Sequence, residues 1–168
     1  MYPLRLEDIL DQQIYDEGIY LEEYFDLPDC QDGAYYDAID MPYPIIAINK
    51  NLFGTYARNY TKAHEIGHHH NCVRNLCDAP VWMRQKYEML ADRDWIENIM
   101  SLNDLIIAYE KGNNTPLSLA DYLEIPIEAL MKGLAIYYQI YGAYKDFGQY
   151  RIFWNPFNIK KYLRRKAK

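Results

Sequence analysis

The run His64-Glu65-Ile66-Gly67-His68 constrains this chain more than any other five residues in it. Two side chains four positions apart can serve one ligand only if the segment between them is helical. On a strand they would sit about 13 Å apart along the chain, whereas on a helix they lie about 40° from each other around the axis. The pattern therefore predicts a helix, here over Thr55 to about Asn71, with both imidazoles on one face. Glu65 then falls about 60° beyond His68, within reach of whatever the two histidines hold. Gly67 is costly inside a helix, and its use would be to let another segment approach closely.

These residue types suit a catalytic zinc. Neutral imidazole is a good zinc ligand, and a catalytic site keeps one position for water. A carboxylate that does not bind the metal can take the proton of that water and return it to a leaving amine, and Glu65 is the candidate. A third ligand must come from farther along. Glu88 stands 20 residues after His68, inside a helical pattern over about Val81 to Ile99, with Asp92 four residues later on the same face. Glu88 would bind the metal and Asp92 would orient a histidine through its other ring nitrogen. Ala91 on that helix is small enough for close helix packing, and Trp95 and Ile99 continue it as core. His69 and His70 point elsewhere on the helix, as supporting or surface groups. A rival arrangement would close a structural zinc site with Cys72 and Cys77, although buried free thiols are the simpler account of those cysteines.

Elsewhere the chain reads as a small early sheet followed by helices, an α+β fold. Leu6, Ile9, Leu10 and Ile14 follow helical spacing over about Arg5 to Asp16, and Gly18 stops that helix. Ile19 to Leu27, Ala34 to Asp37 and Pro44 to Asn49 read as strands, with Asp32-Gly33 as a turn. Helices are predicted at about Asn103 to Lys111, Ser118 to Leu123 and Ile127 to Tyr141. Gln149 to Trp154 reads as a late strand ended by Asn155-Pro156. The expected organisation is a metal-binding core over 1–100 and a helical extension over 101–168 packed on it, in one compact unit. Ser118 to Leu130 resembles a helix-turn-helix. Its second helix offers only Lys132 as a cation and carries Glu128 near its start, so it reads as a packing or partner-binding unit rather than a DNA reader.

Composition narrows the function classes. Net charge is −6 with 24 acidic and 18 basic residues, which argues against broad nucleic-acid binding. The basic run at Lys160, Lys161, Arg164, Arg165, Lys166 and Lys168 reads as a solvated terminus. The 18 tyrosines suit half-buried positions and a protein partner. Three cysteines, an N-terminus without an apolar leader and no apolar run near the ~20 residues of a membrane span predict a cytoplasmic protein.

Thr61-Lys62-Ala63-His64-Glu65-Ile66-Gly67-His68-His69, followed by Glu88-Met89-Leu90-Ala91-Asp92, resembles the ImmA/IrrE family of metallopeptidases. Leu117 to Tyr138 and Arg151-Ile152-Phe153-Trp154-Asn155-Pro156 look similar to the members carried by phages and conjugative elements. The two metal elements are the specific part. The family often ends its third-ligand helix with a proline where Ile99-Met100-Ser101 stands here, and Cys72 and Cys77 are not part of its pattern. The resemblance implies a zincin-like core in which His64, His68 and Glu88 bind zinc and Glu65 is the general base. It also implies a site-specific endopeptidase whose substrate is a helix-turn-helix repressor, cleaved to induce a mobile element. The alternative is a non-catalytic anti-repressor that captures the repressor without cutting it.

Overall fold

The computed structural model describes residues 4–38, 40–71 and 79–162. Cys72, Cys77 and the basic residues from Arg164 onward lie outside them. The fold is mixed α+β, and it divides into two compact units, Met1–Asn98 and Ile99–Lys168.

The first unit holds α1 (Leu6–Asp16), β1 (Tyr20–Phe25), β2 (Gly33–Tyr36), β3 (Ile45–Asn49), α2 (Thr55–Asn71) and most of α3 (Val81–Ile99). Its sheet runs β1-β3-β2, with β1 parallel and β2 antiparallel to β3. The Ile-Ile-Ala-Ile run of β3 takes the centre because a strand covered on both faces needs an unbroken apolar sequence. Ile46, Ala47 and Ile48 are wholly buried. Asn49 ends the strand, and its side-chain amide donates to the backbone carbonyl oxygens of Leu27, Pro28 and Gln31, which holds the β1–β2 loop.

α1 lays Leu10 and Ile14 into this core. A charged network then ties α1 and β1 to α2. Lys62 is fully buried, and its ammonium donates to Asp11 of α1 at 2.5 Å and pairs with Glu23 of β1 at 2.8 Å. Arg58, one turn earlier on α2, meets Glu23 at 3.2 Å. A buried ammonium is tolerated only when paired in this way. The network seats α2 just before its histidines.

The second unit begins with α4 (Leu102–Glu110) and α5 (Pro116–Tyr122), each started by a capping box, Ser101 with Asp104 and Thr115 with Ser118. α6 (Ile127–Tyr141) follows a tight turn in which Glu124 takes the left-handed conformation, φ 54°. The chain ends in a meander, β4 (Tyr144–Phe147), β5 (Tyr150–Trp154) and β6 (Phe157–Lys161), all antiparallel. Tyr150, Ile152 and Trp154 of β5 are buried while Arg151 and Phe153 are not. Trp154 stacks on Tyr137 of α6 at 4.8 Å between ring centroids.

This sheet corrects the expectation of a single late strand. Asn155-Pro156 does not end the sheet; it forms the turn from β5 into β6, with a cis peptide bond. β4 and β6 are short edge strands; Tyr144–Phe147 lacks the apolar alternation that makes β5 visible, and Phe157-Asn158-Ile159 alternates but follows the Asn155-Pro156 turn. Among the described residues, no helix is long and apolar enough to cross a membrane.

Candidate metal centre

α2 presents His64 and His68 one turn apart, with ring centroids 4.8 Å from each other and ring planes nearly perpendicular. α3 packs across them at Gly67. A Cβ built on Gly67 would lie 2.7 Å from the backbone oxygen of Ala91 and 2.9 Å from its Cα. Only a glycine allows the two helix backbones to come this close, and Ala91 itself is fully buried. The close approach anticipated at Gly67 is therefore made by α3.

Ala91 lies between the two acids that α3 turns toward the histidines. Glu88 Oε2 is 3.2 Å from His64 Nε2, and Glu88 Oε1 is 3.4 Å from His68 Nε2. One carboxylate thus straddles both imidazoles. The three donor atoms lie within 4.8 Å of one another, a group that could hold a metal ion. The Glu88 side chain is 59% exposed, while His64 and His68 are 14% and 11% exposed. The centre is open to solvent on the Glu88 side.

Asp92 Oδ1 lies 3.3 Å from His64 Nδ1. That nitrogen is buried, and the Asp92 carboxylate faces it. Burial works against a charged His64, yet Asp92 and Glu88 together lift its pKa above the ordinary histidine value. The His64 and His68 imidazoles in turn hold the Glu88 carboxyl far below the usual carboxylate range.

Glu65 is not one of the three donors. It is 6% exposed, and burial pushes its pKa up against the opposing pull of His64 and His68. Its carboxylate accepts a hydrogen bond from the backbone N–H of Tyr35 on β2. Gly33 of the same strand backs onto it, since a Cβ there would lie 3.1 Å from Glu65 Oε1 and would collide with the Thr61 methyl group. An edge strand of the sheet thus forms one wall around the acid.

The arrangement brings together His64, His68, Glu88, Glu65 and Asp92. Comparison with known proteins finds no matching family model, no matching curated protein and no matching solved structure. The site is therefore read from its own geometry.

His69 and His70 turn to other partners. His69 Nδ1 is 3.0 Å from the Tyr35 hydroxyl. His70 is clamped between Glu17, at 3.0 Å from Nε2, and Asp94, at 2.9 Å from Nδ1. Burial disfavours a charged His70, but the two carboxylates outweigh it and its pKa is raised. Three residues of the site are not apparent in the sequence. Gly33 reads there as half of a turn, Tyr35 as a strand aromatic, and Trp95 as core. Trp95 is indeed fully buried, but its indole N–H also donates to Asp92 Oδ1 at 3.3 Å.

Proposed function

We propose that this protein is a zinc-dependent endopeptidase acting in the cytoplasm on a helix-turn-helix transcriptional repressor, whose cleavage releases a mobile element from repression. One observation carries the enzymatic part. Two imidazole Nε2 atoms and a carboxylate converge within 4.8 Å, with a second, buried carboxylate beside them that is not among the donors.

Two histidines and one acid form a donor set typical of catalytic zinc. The solvent-facing side of Glu88 leaves room for a further ligand. Bound zinc would supply a Lewis acid that polarises the peptide carbonyl and lowers the pKa of a water molecule.

The chain's own residues would do the rest. Burial makes the Glu65 carboxylate a stronger base than a solvated one, suited to taking a proton from water near neutral pH and passing it to the departing amine. The Tyr35 N–H steadies that carboxylate. Asp92 holds the far side of the His64 ring. The repressor as substrate follows from the resemblance of Thr61–His69 and Glu88–Asp92 to the ImmA/IrrE motifs.

The test is to mix the purified protein with the product of the neighbouring repressor gene, with and without a chelator. A cut band that disappears on chelation and with Glu65→Gln supports the reading. Repressor that is captured but never cut, at any zinc loading and with Glu65→Gln equally effective, replaces it with a non-catalytic anti-repressor.

A further inference from the structure

We infer that Trp95 is a positioning residue of the metal centre: its indole N–H fixes Asp92, and through Asp92 it sets the imidazole of His64. The inference rests on the reading of His64, His68 and Glu88 as a metal site.

Trp95 follows Asp92 by three positions on α3 and is 0% exposed. Its Nε1–H donates to Asp92 Oδ1 at 3.3 Å, and the same oxygen lies 3.3 Å from His64 Nδ1. A single carboxylate oxygen thus links the indole to the histidine. The indole has a second route to the same ring. It packs edge-on against Tyr60, with centroids 5.2 Å apart and planes at 89°. The Tyr60 ring in turn lies 6.1 Å from that of His64. Asp92 and Tyr60 flank His64, and Trp95 touches both.

The chemistry gives this geometry a purpose. An imidazole that offers Nε2 to a metal carries its proton on Nδ1, and a carboxylate beside that proton fixes both tautomer and ring orientation. A carboxylate can do so only if it does not swing. Rotation about the last bond of an aspartate is soft, and a donor on one oxygen stops it. Filling space beside Tyr60 would need only a large flat side chain. Holding Asp92 needs an N–H, which tryptophan has and phenylalanine lacks. A buried indole N–H seeks an acceptor, and the acceptor found here is the one that faces His64.

The test is Trp95→Phe in the full chain, read by zinc affinity in competition with a chromophoric chelator and by the visible absorption of the cobalt(II)-loaded protein. The expected result is a loss of about tenfold in zinc affinity, the scale of outer-shell changes at metal sites, together with shifted cobalt bands. In an Asp92→Ala background, Trp95→Phe should change neither quantity further, because the lost N–H acts only through Asp92 and phenylalanine keeps the ring contact with Tyr60. Wild-type affinity and an unchanged cobalt spectrum in Trp95→Phe would overturn the proposal, even if the variant melts earlier, because a role confined to packing affects stability and not the ligand. If Trp95→Phe does not fold, the same measurements on protein carrying benzothienylalanine at position 95, alike in shape but without the N–H, decide the matter in the same way. A wild-type protein that takes up neither zinc nor cobalt would remove the metal site and this proposal together, an outcome distinct from a wild type that binds and a variant that binds equally well.

Discussion

Gly67 and Ala91 meet backbone to backbone, and that contact sets the distance between the helix that carries the histidines and the helix that carries Glu88. A Cβ at position 67 would lie 2.7 Å from the Ala91 oxygen, and backbone cannot rotate out of the way as a flexible side-chain tip can.

Gly67→Ala tests this relationship. Alanine gains up to about 1 kcal/mol of helix propensity over glycine, but overpacking two fixed backbones costs about 1–3 kcal/mol. The net expectation is a destabilised protein whose zinc affinity falls more than its stability does, since Glu88 is pushed off the histidines. Denaturant unfolding and zinc titration of the same variant check both. A more stable variant with unchanged zinc affinity would show that the helices can separate without consequence.

Glu65→Gln keeps the size and most contacts of the acid but cannot take a proton. It should leave zinc affinity within a few-fold of wild type and reduce peptide cleavage by about 10²–10⁴-fold, the usual contribution of a general base. Cleavage rates on the repressor, with zinc content measured in parallel, separate this from simple metal loss.

The pH dependence has opposite signs with and without metal. In the metal-free protein the His64 pKa is raised by Asp92 and Glu88. Its imidazolium therefore stabilises the fold fully below the ordinary histidine pKa of about 6.5, and that stabilisation is lost as pH rises through the raised value. Zinc needs the neutral ring, so zinc affinity should climb with pH over the same window and level off above it. Thermal unfolding across a pH series, with zinc and with chelator, should show the two curves diverging as pH increases. Parallel curves would mean that the proton and the metal do not compete at His64.

Lys62 gives a prediction about stability. Asp11→Asn with Glu23→Gln leaves its ammonium buried without a counter-charge and should cost up to about 3 kcal/mol, the low end for a broken buried pair, because both acids are partly exposed. Lys62→Met leaves Asp11, which is partly exposed, without its partner, while Glu23 keeps Arg58, and it should cost less. Equal losses in denaturant unfolding would mean that the burial of the Lys62 ammonium does not set the size of the loss.

What could be read from the sequence followed from local geometry. His64, Glu65 and His68 were legible because the helical repeat alone puts them on one side of α2. Glu88 and Asp92 could be placed by their spacing within a second periodic segment and by resemblance to a known motif. The groups that complete the site are brought in by tertiary contacts that no local period encodes. Gly33 reads as a turn glycine, yet its missing side chain makes room for Glu65. Tyr35 contributes a backbone N–H, which any residue but proline would supply, so its identity carries no signal. β4 was hidden because Tyr144–Phe147 is a four-residue edge that β5 alone completes, and β6 because Asn155-Pro156 reads as a stop although it makes the turn into Phe157–Lys161.

The most direct test of the account is X-ray absorption of the protein loaded with one equivalent of zinc. The account predicts a single shell of nitrogen and oxygen at about 2.0–2.2 Å, with outer-shell scattering from two imidazoles that drops when His64→Ala or His68→Ala is introduced. Sulfur at about 2.3 Å, or zinc that is not retained stoichiometrically, would contradict it.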